Sequence, residues 1–297
     1  MWQPPCGAIL VGVDGSAAAL GAVRWAARDA ALRNAPLALV HVVDAPVPGW
    51  FQVTPRTDFR QWHAKRARKF IRSAIRVAEQ SVGDLGRVKV ESKVLFSAAV
   101  PALVALSSVV EMVVLGSHGH GGALAHRPIG SVTSGLVYHA HSPVAVIRDE
   151  QAQFRRAAGA PVLVGIDGSP ASEAATAIAF EQALRRGVRL VALHAWDDPR
   201  VAASRTLFQD AKWDARLSAE EEVLAERLAG WHDRYPDVGV RRRIEIGEPV
   251  RWLLEASEQA QLLVVGNHGR GAFAGKVLGS VGASVVNRAK IPVIVAR

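Results

Sequence analysis

A single cysteine, Cys6, stands among 297 residues, so no intrachain disulfide can staple this chain. That usage fits a reducing, intracellular setting and excludes a disulfide scaffold. No apolar run approaches the ~20 residues that a membrane-spanning helix needs. The opening segment, MWQPPCGAIL, has neither a basic stretch nor a small-residue cleavage pattern, so a secretory leader is not expected. Hydrophobic residues at 49% and charged residues at 21% exclude a disordered chain. A cytoplasmic globular protein is the expectation. Acidic residues are also scarce: 27 against 36 Lys and Arg, a net charge of +9. Residues 1–150 hold 16 basic and 10 acidic side chains, and residues 151–297 hold 20 and 17, so the excess lies mostly in the first half. Between Arg56 and Arg76 eight basic residues face Asp58 alone, with Phe59, Trp62 and Phe70 interleaved. Such a stripe can bind nucleic acid or polyphosphate, although a solvated helix face with core anchors explains it as well.

The chain is a duplication. VGVDGS at 11–16 recurs as VGIDGS at 164–169, an offset of 153 that also pairs His41 with His194. VLGSHGHG at 114–121 recurs as VVGNHGRG at 264–271, and SPVAVIR at 142–148 as IPVIVAR at 291–297. Two domains follow, 1–150 and 151–297, joined by the polar segment 149–159. In the first, AILVGV at 8–13, LALVHVV at 37–43 and MVVLG at 112–116 read as buried strands, and VKVESKVL at 88–95 alternates like an edge strand. Ser16 is placed to cap an alanine-rich helix that Pro36 should end. Further helices are expected at 58–82, 98–108 and 131–140, with a last strand at 143–148. The second half repeats the order. Strand–helix alternation of this kind predicts an α/β fold, each domain a five-stranded parallel, doubly wound, Rossmann-like sheet with helices on both faces. Ligands bind such sheets at the carboxyl ends of the strands, where the strand order reverses. The first and fourth strands should flank that crevice, and they end on the two distinctive motifs.

In the second half, Gly266-Asn-His-Gly269 is followed by nine residues and then Gly279-Ser280-Val281. Glycines there let backbone N–H groups face outward, and a helix start adds unpaired donors. Asp167, across the crevice, offers an acceptor-only carboxylate suited to ribose hydroxyls or a base amino group. Carboxylate on one side and anion nest on the other is a layout for a nucleotide. The simpler reading is that the glycines make turns and Asp167 caps a helix. There is no G-x-x-x-x-G-K-[ST], and G-x-G-x-x-G does not follow the first strand, so neither an NTPase loop nor a dinucleotide fingerprint is present. His118 and His268 sit in the glycine loops with no serine–acid pair to complete a triad. His41 and His194 end the second strands and read as structural. His139 and His141 lack the companions of a metal site. The Arg241–Arg243 run lies on the second half's edge strand, where charge discourages aggregation.

VGxDGS, the Gly-x-x-Gly-(nine residues)-Gly-Ser loop and the closing PVxV strand closely resemble the universal stress protein family. The pattern covers nearly the whole chain twice, as in the family's tandem-domain members of mycobacterial and actinobacterial type. The resemblance implies an adenine nucleotide α-hydrolase-like fold that often binds ATP. It implies Asp167 at the ribose or base, Ala195 at the adenine, and Gly266, Gly269, Gly279, Ser280 and Val281 at the phosphates. It also implies edge-to-edge pairing of the last strands of the two lobes. In the first half, Asp14, Val42, Gly116, Gly119, Gly130, Ser131 and Val132 match by position. There, however, ten residues separate Gly119 from Gly130 instead of nine. The insertion should bulge or shift the nest, and Pro128 removes one donor. Arg127 is placed to compensate by reaching a phosphate.

Three functions follow as expectations. The first is an ATP-binding stress or regulatory protein, with Mg²⁺ on the triphosphate, no metal site of its own, no catalytic residues, a homodimer and unidentified protein partners. The second is a slow ATPase or nucleotidyl-cleaving enzyme of the same fold, which rests on fold analogy. The third is a basic nucleic-acid-binding protein using the 56–76 stripe.

Overall fold

The structure, a computed structural model, describes residues 2–43, 57–119, 129–148, 159–196, 211–269 and 278–297. The chain divides into two compact units, Met1–Glu150 and Gln151–Arg297. The first runs β1 (Ile9–Gly12), α1 (Ala17–Arg33), β2 (Leu37–Val43), α2 (Thr57–Val82), β3 (Val90–Phe96), α3 (Ala99–Ser107), β4 (Met112–Gly116), α4 (Ser131–His139) and β5 (Val144–Ile147), with a 3₁₀ turn at Gly83–Leu85. The second runs β6 (Val162–Gly165), α5 (Pro170–Arg186), β7 (Leu190–Trp196), α6 (Ala211–Arg234), β8 (Val240–Ile246), α7 (Pro249–Ser257), β9 (Leu262–Gly266), α8 (Ser280–Arg288) and β10 (Val293–Ala296).

Strand order is β3-β2-β1-β4-β5 in the first unit and β8-β7-β6-β9-β10 in the second. The pairs within each unit are parallel. The sequence steps outward from β1 to β3, then returns to β4 on the other side of β1. That reversal opens a crevice at the carboxyl ends of β1 and β4, and in the second unit of β6 and β9. Right-handed crossovers put α1 and α2 on one face and α3 and α4 on the other, and the helices contact each other in those pairs.

Composition explains the packing. Ile9, Leu10 and Val11 are fully buried, as are Val162 and Val164, because a parallel strand is covered on both faces. Helix α1 turns Ala22, Ala26, Ala27 and Ala30 to the sheet, all fully buried. Small side chains let its backbone come close. Gly116 completes the fit: a Cβ there would stand 2.6 Å from the carbonyl carbon of Ala18, and one at Gly266 would stand 2.8 Å from that of Ala171. The first turn of the helix crosses directly over the glycine that ends the fourth strand.

Ser16 caps α1 as its position predicts, its Oγ accepting from Ala19 N at 3.1 Å. Ser169 does the same for α5, accepting from Ser172 N at 3.2 Å. The end of α1 differs from the sequence expectation. Asn34, at φ 54°, takes the left-handed conformation, and its N–H donates to the carbonyls of Ala30 and Ala31. The helix therefore stops at an αL cap two residues before Pro36. The second unit uses Gly187 at the matching position, φ 61°.

Candidate functional site

Each first strand extends past its last ladder residue. Val13 N donates to Val40 O at 2.8 Å and Ile166 N to Leu193 O at 2.9 Å, which fixes the following aspartate at the mouth of the crevice. Asp14 Oδ1 accepts from Ser16 N at 2.9 Å and from Ser16 Oγ at 2.6 Å. Asp167 Oδ1 accepts from Ser169 N at 2.9 Å. The helix cap is Ser169 itself, and Asp167 closes an Asx turn onto that residue through one oxygen. The other oxygen points at the glycine loop. A Cβ on Gly119 would lie 2.7 Å from Asp14 Oδ2, and one on Gly269 would lie 2.6 Å from Asp167 Oδ2. Only glycine lets the loop pass this close to the carboxylate.

Both glycine loops are closed by the same bond. Gly130 N donates to Ser117 O at 2.8 Å, and Gly279 N donates to Asn267 O at 2.7 Å. Gly130 and Gly279 are the N-caps of α4 and α8. Neither helix start receives a side-chain cap among the described residues. The N–H groups of Ser131 and Val132, and of Ser280 and Val281, thus face the crevice with the helix dipole behind them. The one-residue insertion of the first loop falls between these pins. Gly130 keeps the same closing bond and cap geometry as Gly279, and the bulge that was the other expectation falls on residues outside those described. Arg127 and Pro128 lie outside the described residues.

All fourteen residues singled out from the sequence come together in two cavities. Asp14, Val42, Gly116, Gly119, Gly130, Ser131 and Val132 line one of about 420 Å³. Asp167, Ala195, Gly266, Gly269, Gly279, Ser280 and Val281 line one of about 450 Å³. Both volumes are in the range of small-ligand sites. The sequence reading overlooked the apolar slot in each. It is built by Val13, Val40, Leu103 and Leu115 in the first unit, and by Ile166, Leu193, Leu253 and Val265 in the second. In sequence these look like core residues, and their recurrence at matched positions in both halves is the signal that could have drawn them out. Also missed was the cover over the Asp-Gly turn. Phe70 of α2 lies against Gly15, whereas the Arg227 guanidinium of α6 lies against Gly168.

The histidines sort as follows. His41 Nδ1 meets Val13 O at 2.6 Å and His194 Nδ1 meets Ile166 O at 2.6 Å. A carbonyl only accepts, so in both rings Nδ1 carries the proton and ties the second strand to the first. These two are structural, as expected. His118 Nδ1 lies 3.0 Å from Ser117 Oγ, a hydroxyl on a residue only 3% exposed. His268 Nδ1 is buried without a hydrogen-bond partner among the described residues, and its ring lines the second cavity. No group of three His, Cys, Asp or Glu among the described residues is placed to hold a metal.

The arrangement offers an aliphatic slot, a carboxylate and a cluster of backbone donors. The sequence profile of the universal stress protein family matches residues 7–148 and again residues 160–297. The chain belongs to the universal stress protein family. It is of the tandem type, with one family domain in each unit. Two universal stress proteins of Mycobacterium tuberculosis are each 48% identical to it, over 289 and 290 residues that cover 97% of this chain and 96% of theirs. One from Mycolicibacterium smegmatis is 43% identical over 293 residues, with the same coverage of 97% and 96%. Among solved structures, a universal stress protein from Archaeoglobus fulgidus shares the fold at a TM-score of 0.70 and 19% identity, over 99% of both chains. Among the described residues no helix is long and apolar enough to cross a membrane.

Proposed function

We propose that each unit binds an adenine nucleotide, ATP with Mg²⁺, and that the protein is a nucleotide-dependent stress regulator with little or no hydrolysis. The observation that carries this reading is the second cavity, where Asp167 Oδ2 and the uncapped start of α8 face one crevice with aliphatic walls. The base would lie in the slot beside Leu253 and Ala195. Asp167 would accept hydrogen bonds from ribose hydroxyls, as Asp14 would in the first unit. The N–H groups of Ser280 and Val281 would donate to phosphate oxygens, which suits an anion at a helix N-terminus. Mg²⁺ would neutralise charge on the phosphates and be held mainly by them. The donors that would face the phosphates are backbone N–H groups, which bind an anion without activating water, so slow turnover is expected. The reading includes a cytoplasmic homodimer, and light scattering of the purified protein tests the dimer.

Denatured, chromatographed protein should release ATP, or the purified chain should titrate with one equivalent for each of the two cavities. At Gly279 a Cβ would stand 3.2 Å from His268 Cα, so Gly279→Val should remove the second site. Failure of the unmodified chain to bind any adenine nucleotide refutes the proposal. Turnover near a typical ~10 s⁻¹, abolished by Asp167→Ala, would make the protein an enzyme instead.

A further inference from the structure

A cavity of about 820 Å³ that shares no lining residue with the nucleotide site starts at the amino ends of β6 and β7 and runs along β8 to Glu245. Strand register places Leu163, Val191 and Arg241 in one row across the sheet. Arg189 precedes β7 at the same end, and Ala256 and Gln259, from α7 and the turn after it, close the other side. Two acids also line the cavity, and both are engaged by one residue. Arg243 bonds Glu245 at 2.5 Å and pairs with Glu255 at 3.6 Å, with its guanidinium over the Trp252 ring. Arg189, Arg241 and Arg242 are exposed and make no ion pair among the described residues. Arg189 and Arg241 thus add two guanidiniums to a cavity whose two acids share a third, so that Arg189, Arg241 and Arg243 outnumber Glu245 and Glu255 there; Arg242, the next residue along the strand, turns its side chain to the other face.

The duplication supplies an internal control. Leu37 pairs with Val90 in the first unit and Leu190 with Val240 in the second. This register sets Glu91, Ser92 and Lys93 against Arg241, Arg242 and Arg243, and Pro36 against Arg189. Glu91 is paired with Lys89 at 3.0 Å. The fold therefore does not require the arginines. Protection of an edge strand does not require them either, since the first unit's edge manages with mixed charge.

We propose that this cavity is a second ligand site, for a small oligophosphate. Guanidinium forks match phosphate oxygens bidentately, and the apolar floor of Leu163 and Val191 presents no acceptor to compete for them. The probe is inorganic tripolyphosphate, titrated calorimetrically into the full-length chain at low salt. Arg241→Glu installs the residue that the first unit carries at the matching position, so the strand tolerates it; Arg189→Ala is the independent second variant. Binding should weaken about tenfold or more in each, the effect of losing charge-assisted bonds, while ATP binding at the glycine loops stays as in the unmodified chain. Unaltered affinity in both arginine variants overturns the proposal, as does the absence of binding to the unmodified chain at millimolar tripolyphosphate. Loss in Gly279→Val alone would assign the anion to the glycine-loop cavity and equally overturn it. ATP binding is read separately, so failure of either site leaves the other standing.

Discussion

Gly269→Ala adds one methyl group and no charge, and it tests the most specific feature of the proposed nucleotide site. Its Cβ would stand 2.6 Å from Asp167 Oδ2 and 3.8 Å from Asp167 Cγ. Side chains do not settle at the shorter distance, so the carboxylate must rotate or the loop must retreat. Rotation breaks the bond that Oδ1 accepts from Ser169 N at 2.9 Å. A hydrogen bond to a charged group contributes ~1.5–3 kcal/mol. If Asp167 receives ligand hydroxyls, displacing it should weaken the second site by about ten- to a hundredfold. Folding stability of that unit should fall by ~1–2 kcal/mol as the carboxylate relaxes. Calorimetric titration of the full chain with ATP reads the first effect, with the first unit's site as internal reference. Thermal melting followed by circular dichroism reads the second. A Gly269→Ala chain that binds ATP at both sites with unaltered affinity would refute the placement of Asp167 against the ligand.

Gly230, in α6, has nothing within 4 Å of the position of an added Cβ, so Gly230→Ala should raise the second unit's stability by ~0.5–1 kcal/mol in denaturant unfolding and leave ATP binding unchanged. Phe180 is fully buried and stacks on Trp231 and Tyr235 with ring centroids 5.7 and 5.4 Å away; Phe180→Ala should cost ~3–5 kcal/mol and shift tryptophan fluorescence. Ser16→Ala removes the cap on Ala19 N and the hydroxyl bonded to Asp14. It should cost ~1–2 kcal/mol and loosen ATP at the first site, which titration of the chain will show.

Much of the fold can be read from the chain because parallel strands buried on both faces leave continuous apolar runs, as at Ile9–Val11. The repeat then marks the functional glycines twice. What could not be read depends on tertiary contact. Leu103 and Leu253 recur at matched positions, but nothing local to either residue separates a site wall from a core. Nothing in the helix pattern says that Phe70 meets Gly15 while Arg227 meets Gly168, because that follows from how each long helix slides over its sheet. The helix end at Asn34 was hidden by Pro36, a stronger breaker lying two residues further on. Arg241 was legible as edge charge, but its row with Leu163 and Val191 required strand register.

The bond from Gly130 N to Ser117 O, and its counterpart from Gly279 N to Asn267 O, makes each glycine loop a closed ring with a fixed mouth. Lengthening such a ring from eleven to twelve enclosed residues adds only ~0.1 kcal/mol of closure entropy. The ring can therefore gain residues, charge or proline while the donors at its mouth keep their positions. Divergence after the duplication was free to act on the ring without disturbing the cradle. The same clamp makes the ring a place where new segments can be inserted and the anchor left as it is.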